Sequence, residues 1–244
     1  MDNEQYAQIC IEIRRELLSY LQRLTGRPAI SEELLQETFL RGHVHRAELP
    51  TSHGEIRAWL FAVGSHLAID SMRKHGNWRE TAMDDFREAA ESNSHFIQLS
   101  KEMIGTPETE NIAKEHLAAC FTCVLRSFPE LKAAALLLKE VYGFSLDEVA
   151  GQLDATNGQV KNWLQEARNS MNERYGSSCA LVTKHGVCHQ CEELTIFFNQ
   201  PSGDPLKGTA RDFNSRIGIL KEYRDEGLGR WHVMMFELLD HPVS

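Results

Sequence analysis

Four soft or borderline metal donors fall within thirteen residues of the stretch SSCALVTKHGVCHQCEEL: Cys179, His185, Cys188 and Cys191, with His189 as an alternative nitrogen ligand. The C-x2-C pair lets two thiolates converge on one ion, and tetrahedral zinc takes three thiolates and one imidazole. Zn2+ is the one cofactor that the chain calls for. A redox pair Cys188–Cys191 and buried, unreactive thiols are the other readings of a single C-x2-C. Cys120 and Cys123 repeat the spacing inside an apolar helical stretch and read as small hydrophobes, as does Cys10.

A second set of residues has the chemistry of nucleic-acid contact. Thr156, Asn157, Gly158, Gln159, Lys161, Asn162, Gln165, Arg168 and Asn169 fall on the outward positions of one predicted helix. Amides and arginine match base edges and phosphates. Two capping boxes, Ser145 with Glu148 and Thr156 with Gln159, set where helices must begin, because each hydroxyl satisfies an orphan backbone N–H three residues on. Apolar stripes follow both caps: Leu146, Val149, Ala150 and Leu153, then Val160, Trp163, Leu164, Ala167 and Met171. Only Asp154 and Ala155 separate them, so the pair reads as a helix-turn-helix. A surface helix pair in an ordinary bundle is the alternative.

Upstream, Trp59, His66, Arg73 and Lys74 belong to a locally basic helix from about Glu55 to Lys74, whose aromatic and cationic side chains suit capture of a single strand. Packing in a core is the more ordinary fate of Trp59 and Phe61. Two helices precede it. Apolar residues from Tyr6 to Leu24 recur every three or four positions until Gly26, and Ser31 is placed to cap the next helix, with Leu34, Leu35, Thr38 and Phe39 inward.

Nothing resembles a transmembrane run or a secretory signal, so a cytoplasmic protein without membrane contact is expected. The net charge of −9 over 244 residues argues against a simple nucleic-acid binder, but residues 81–110 alone hold seven acids against two cations. That stretch lacks periodicity and reads as an acidic linker. The expected architecture is all-α: helical units at residues 1–80 and 111–176, the linker 81–110, and a helical, cysteine-containing extension 177–244. In the extension, Phe213, Ile217, Leu220 and Tyr223 share one face, and Trp231, Met234, Met235 and Leu238 another.

SEELLQETFLR, EIRAWLFAVGSHLAIDSMRK and FPELKAAALLLKEVYGFSLDEVAGQLDATNGQVKNWLQEARNSM, in this order, resemble the two conserved domains of the extracytoplasmic-function (ECF) group of bacterial sigma-70 factors. The resemblance implies a promoter-melting domain in residues 1–80 and a −35-reading helix-turn-helix domain in residues 111–176, without enzymatic activity. It implies that Gln36, Glu37, Phe39 and Arg41 dock on the beta-prime clamp of core RNA polymerase, with the beta flap as a further contact. The loop Glu48 to Glu55 would capture a flipped base at the −10 element, supported by the helix carrying Trp59, His66, Arg73 and Lys74. The helix from Thr156 would read the −35 element, the linker would thread the active-site channel, and an anti-sigma factor is a candidate partner.

The chain departs from the family pattern in two places. His66 stands near the melting pocket where the family usually has Asn. Glu166 lies among positions that the family fills with arginine, so −35 affinity should be weak without help from polymerase. The competing readings are an autonomous helix-turn-helix regulator and a metal or thiol-redox sensor acting through protein contacts.

Overall fold

The computed structural model describes residues 1–75, 124–178 and 213–229, with positions 92–94, 98, 118 and 121–122 between them. All regular structure among the described residues is helical. The metal donors Cys179, His185, Cys188, His189 and Cys191, the cysteines Cys120 and Cys123, and nearly all of the linker lie outside these residues.

Helix α1 (Asn3–Thr25) starts in a capping box between Asp2 and Gln5 and stops where Gly26 turns left-handed at φ 68°. Helix α2 (Pro28–Val44) begins four residues earlier than the Ser31 cap predicts, with Arg27 in the cap position. Pro28 opens it because its fixed φ and missing N–H suit a first turn. Ser31 is buried instead, donating to the Arg27 carbonyl at 2.8 Å and lying 2.9 Å from the Thr25 hydroxyl. Helix α3 (His53–His75) is led in by Ser52, whose hydroxyl accepts from the Glu55 N–H. The three helices pack on one another through Ile13, Leu17, Leu21, Leu35 and Leu60. Side chains of α1 close over Gly64, where a Cβ would stand 3.3 Å from Leu17 Cδ1.

Helix α4 (Glu130–Leu136) follows Pro129 and widens into a π-helical turn (Leu137–Val141) that Gly143 ends at φ 76°. Ala133 to Leu138 are all buried. Helix α5 (Leu146–Gln152) and helix α6 (Asn157–Ser178) come next, and helix α7 (Phe213–Glu222) packs on α6 and the π turn.

Buried residues of α1–α3 and of α4–α7 form one continuous core. At the seam the rings of Tyr20, Phe61, Tyr142 and Phe144 meet with centroids 5.0–5.5 Å apart. Ser65 gives its proton to the Phe61 carbonyl, so Tyr20 donates to Ser65 at 2.7 Å. Burial raises the pKa of both tyrosine hydroxyls, that of Tyr142 to about 12. No helix among the described residues is long and apolar enough to cross a membrane.

Candidate nucleic-acid and partner interface

Both capping boxes form as their spacing requires. Ser145 accepts from the Glu148 N–H at 3.2 Å while Glu148 accepts from the Ser145 N–H at 2.7 Å. Thr156 and Gln159 repeat the exchange at 3.2 and 2.9 Å. The turn between the helices closes because Asp154 takes a left-handed conformation at φ 49°. Val149, Ala150, Leu153, Val160, Leu164, Ala167 and Met171 face the core. Thr156, Asn157, Gln159, Lys161, Asn162, Gln165 and Arg168 are exposed together on the outer face.

Three contacts on this unit have no sequence signature. Asn157 donates to Asp147 at 2.5 Å, tying the reading helix to α5. Arg168 is ion-paired with Glu140 of the π turn, and Glu166 with Lys132 of α4. Part of the Glu166 charge is therefore answered within the protein, and Arg168 is not idle.

On α3, Trp59, His66 and Arg73 recur every seven residues and so share one stripe. This stripe is turned toward the second unit. Trp59 is half-buried against the core. His66 Nε2 lies 3.3 Å from Asp154 of the helix-turn-helix turn, in ion-pair rather than hydrogen-bond geometry. Arg73 Nε lies 3.7 Å from Glu130 of α4, and Gln152 of α5 donates to the Ala58 carbonyl at 3.2 Å. Lys74, one residue off the stripe, is exposed. Beside the stripe Arg57 grips Glu16 with two nitrogens and lies over the Phe61 and Phe144 rings. Arg57 lies in the locally basic helix, but its tertiary partners Glu16 and Phe144 are 41 and 87 positions away in the chain and leave no local trace.

Along α2, Gln36 and Arg41 are exposed, and Arg41 pairs with Glu37 at 2.8 Å. Phe39 is half-buried, and its carbonyl accepts from the Tyr6 hydroxyl at 2.7 Å. Next to them Leu40 and Val44 stand 58% and 64% exposed, which makes the outer face partly apolar. Helical spacing could have placed both on the face of Gln36, Glu37 and Arg41, since they fall four and eight positions from Gln36. The loop before α3 forms one wall of an open cleft of about 850 Å³ lined by Asp2, Gln5, Ile9, Leu49, Pro50 and His53. His53 lies 3.2 Å from Glu12. Cys10 is half-buried beside Tyr6, and burial raises its thiol pKa.

The described part of the extension meets both units. Phe213, Ile217 and Leu220 are buried, and Phe213 packs 6.3 Å from the Phe121 ring. Residues 223–228 then cross onto α1.

Residues 11–78 match Sigma-70 region 2, and residues 118–171 match Sigma-70, region 4. Between them the two matches take in about half of the chain, in the order that the sequence motifs suggest. Among relatives, the ECF RNA polymerase sigma factor SigM of Bacillus subtilis is 32% identical over 108 residues, 42% of this chain and 62% of that protein. The ECF RNA polymerase sigma factor SigE of Mycolicibacterium smegmatis is 26% identical over 152 residues, covering 62% of this chain and 54% of its own. SigL of Mycobacterium tuberculosis, also an ECF RNA polymerase sigma factor, is 29% identical over 154 residues, 62% of this chain and 77% of that protein. The match thus spans less than two thirds of the first two relatives. The chain belongs to the sigma-70 family of RNA polymerase sigma factors, in its ECF group.

Proposed function

We propose that the protein binds core RNA polymerase, recognises the −10 and −35 elements of a promoter, and starts DNA-templated transcription without covalent chemistry of its own. The observation that carries this reading is the pairing, on one chain, of the region 2 and region 4 matches with a helix-turn-helix whose outer face is amide and cationic. In this reading α6 presents Thr156, Asn157, Gln159, Lys161, Asn162, Gln165 and Arg168 to the −35 element. The stripe Trp59, His66 and Arg73, with Lys74, follows the separated strand at the −10 element. Gln36, Glu37, Phe39 and Arg41, joined by Leu40 and Val44, dock on the beta-prime clamp. The beta flap and an anti-sigma factor are further proposed partners, and the cytoplasm is the compartment where all of these meet.

Purified protein mixed with bacterial core polymerase and a library of promoter fragments tests the reading. Open complexes should form only when both proteins are present. Tight binding to a palindromic site by the protein alone, with no open complex, would replace it with an autonomous regulator. The extension is assigned Zn2+ from donor type and spacing, with Cys179, His185, Cys188 and Cys191 as ligands. Cys188→Ser in the full chain should lower bound zinc from about one equivalent toward none.

A further inference from the structure

Resting on the sigma-factor reading, we propose that Asp147 and Thr156 are positioning residues for −35 recognition. They hold the two amides in the first turn of α6 in opposite senses, so that Asn157 presents its oxygen to a base edge and Gln159 presents its nitrogen.

An amide side chain is ambiguous by itself, because one end donates and the other accepts. Its neighbours remove the ambiguity here. Asn157 Nδ2 lies 2.5 Å from Asp147 Oδ1, and a carboxylate only accepts. The NH2 end of Asn157 must therefore face α5, and its oxygen must face away. At Gln159 the order is reversed. The Thr156 N–H, which only donates, lies 2.9 Å from Gln159 Oε1, and the Thr156 hydroxyl gives its proton to the same oxygen at 3.0 Å. That hydroxyl accepts in turn from the Gln159 N–H at 3.2 Å. Both lone pairs of the Gln159 oxygen are thus used, and the NH2 end is what remains for a ligand. Asp147, Thr156, Asn157 and Gln159 are all exposed.

The pattern has a meaning in the major groove. There adenine and cytosine offer an exocyclic amino group, while guanine and thymine offer only acceptors. Opposite Asn157 an amino base is favoured, since its N–H meets the amide oxygen. A guanine or thymine at that position sets oxygen against oxygen. Turning the amide to suit it would set the Asn157 oxygen against the Asp147 carboxylate instead, so the mismatch is not relieved. Opposite Gln159 the reverse holds: purine N7, guanine O6 and thymine O4 accept its N–H, and cytosine, whose edge only donates, is rejected.

Both amides are ordered before DNA arrives, which spares the entropy of fixing them on binding. Asp147 belongs to α5 and stands ten positions before Asn157. Base preference is therefore set in part from outside the reading helix, by a residue that need not touch DNA.

Holoenzyme assembled from bacterial core polymerase and the full-length chain, used to select promoters with a randomised −35 element, tests this. Asn157→Ala identifies the position that Asn157 reads, by losing the preference there. At that position the native chain should enrich adenine or cytosine. Asp147→Asn, whose own amide can meet either end of Asn157, should admit guanine and thymine at that one position, cutting the discrimination roughly tenfold and leaving the other preferences as they are. Added to Asn157→Ala, it should change nothing further. Gln159→Glu keeps an oxygen for the Thr156 cap but replaces the outward nitrogen with a second oxygen, so cytosine should enter at the position that Gln159 reads. Unaltered preferences in Asp147→Asn and Gln159→Glu overturn the proposal. So does a loss spread evenly over all positions, which would make Asp147 a support of the fold alone. Enrichment by the native holoenzyme without a preference at the Asn157 position also removes the proposal and spares the sigma-factor reading. No enrichment of any −35 sequence removes that reading, and the proposal with it.

Discussion

Arg57 holds Glu16 in a two-pronged ion pair, Nη2 to Oε1 at 2.6 Å and Nε to Oε2 at 2.7 Å, while its guanidinium plane lies 4.1 Å from the centre of the Phe144 ring. The same Nη2 donates to the Tyr142 carbonyl at 3.0 Å. One side chain therefore joins α1, α3 and the turn before α5. Arg57→Ala strands a mostly buried carboxylate and a carbonyl, and should cost roughly 2–4 kcal/mol. Arg57→Lys keeps the charge but not the fork or the stacking, and should cost about half of that. Urea melts of the two variants check both the order and the size.

The Ser145–Glu148 capping box makes a prediction with a pH sign. Hydrogen bonds from the Ser145 side chain and backbone hold the Glu148 carboxyl below its usual range. Its folded pKa is depressed, so its contribution to stability is present above the unfolded value of about 4.3 and is lost as pH falls through the folded value. Ser145→Ala should destabilise the protein by about 1 kcal/mol at neutral pH. The difference in melting temperature between the native chain and Glu148→Gln should be open at pH 7 and close below about pH 4. A gap that stays constant over that range would show that the charge on Glu148 does not matter to the cap.

Glu140 already holds Arg168, so in the proposed reading a −35 phosphate would have to share the guanidinium with it. Arg168→Ala should weaken −35 binding by the polymerase complex for all sequences alike and lower the salt slope by about one ion. Glu140→Gln should do the reverse, freeing the guanidinium and tightening binding at low salt. Electrophoretic or anisotropy titrations across a salt series distinguish the two. Equal affinities in both variants would mean that Arg168 never reaches DNA.

Short-range features are legible in the residues themselves. Caps are local hydrogen-bonding arrangements spanning four residues, so spacing alone places Ser145, Thr156 and the outward set on α6. Ser31 misleads for the same reason: its type suits a cap, but Pro28 three residues earlier starts the helix with its own fixed φ. The docking of α3 on α4 and α5 has no such local signature. Trp59, His66 and Arg73 form as good a stripe for a partner domain as for a nucleic acid, and the choice depends on Asp154 and Glu130, which are 57 to 88 positions away in the chain. The crossing of residues 223–228 onto α1 is hidden more deeply still, since Arg23, Ser19 and Gln22 recognise backbone groups that every sequence carries.

The exposed apolar pair on α2 separates docking from folding. Leu40 and Val44 lie one turn apart beside Gln36, Glu37 and Arg41, and their exposure means that little folding energy rests on them. Leu40→Asp and Val44→Asp should each leave the melting free energy within about 0.5 kcal/mol of the native value. If the face docks on polymerase, each removes apolar area from the centre of an interface and sets a carboxylate there, which should weaken core binding by roughly 2 kcal/mol, about thirtyfold. Gly42 supplies the contrast from within the same helix. A Cβ there would collide with the Tyr6 hydroxyl, so Gly42→Ala must push aside the ring that donates to Phe39. That substitution should cost about 1–3 kcal/mol of stability and weaken polymerase binding only through loss of folded protein. Paired urea melts and core-binding titrations on the three variants give opposite patterns if α2 is a docking face, and parallel losses if it is merely structural.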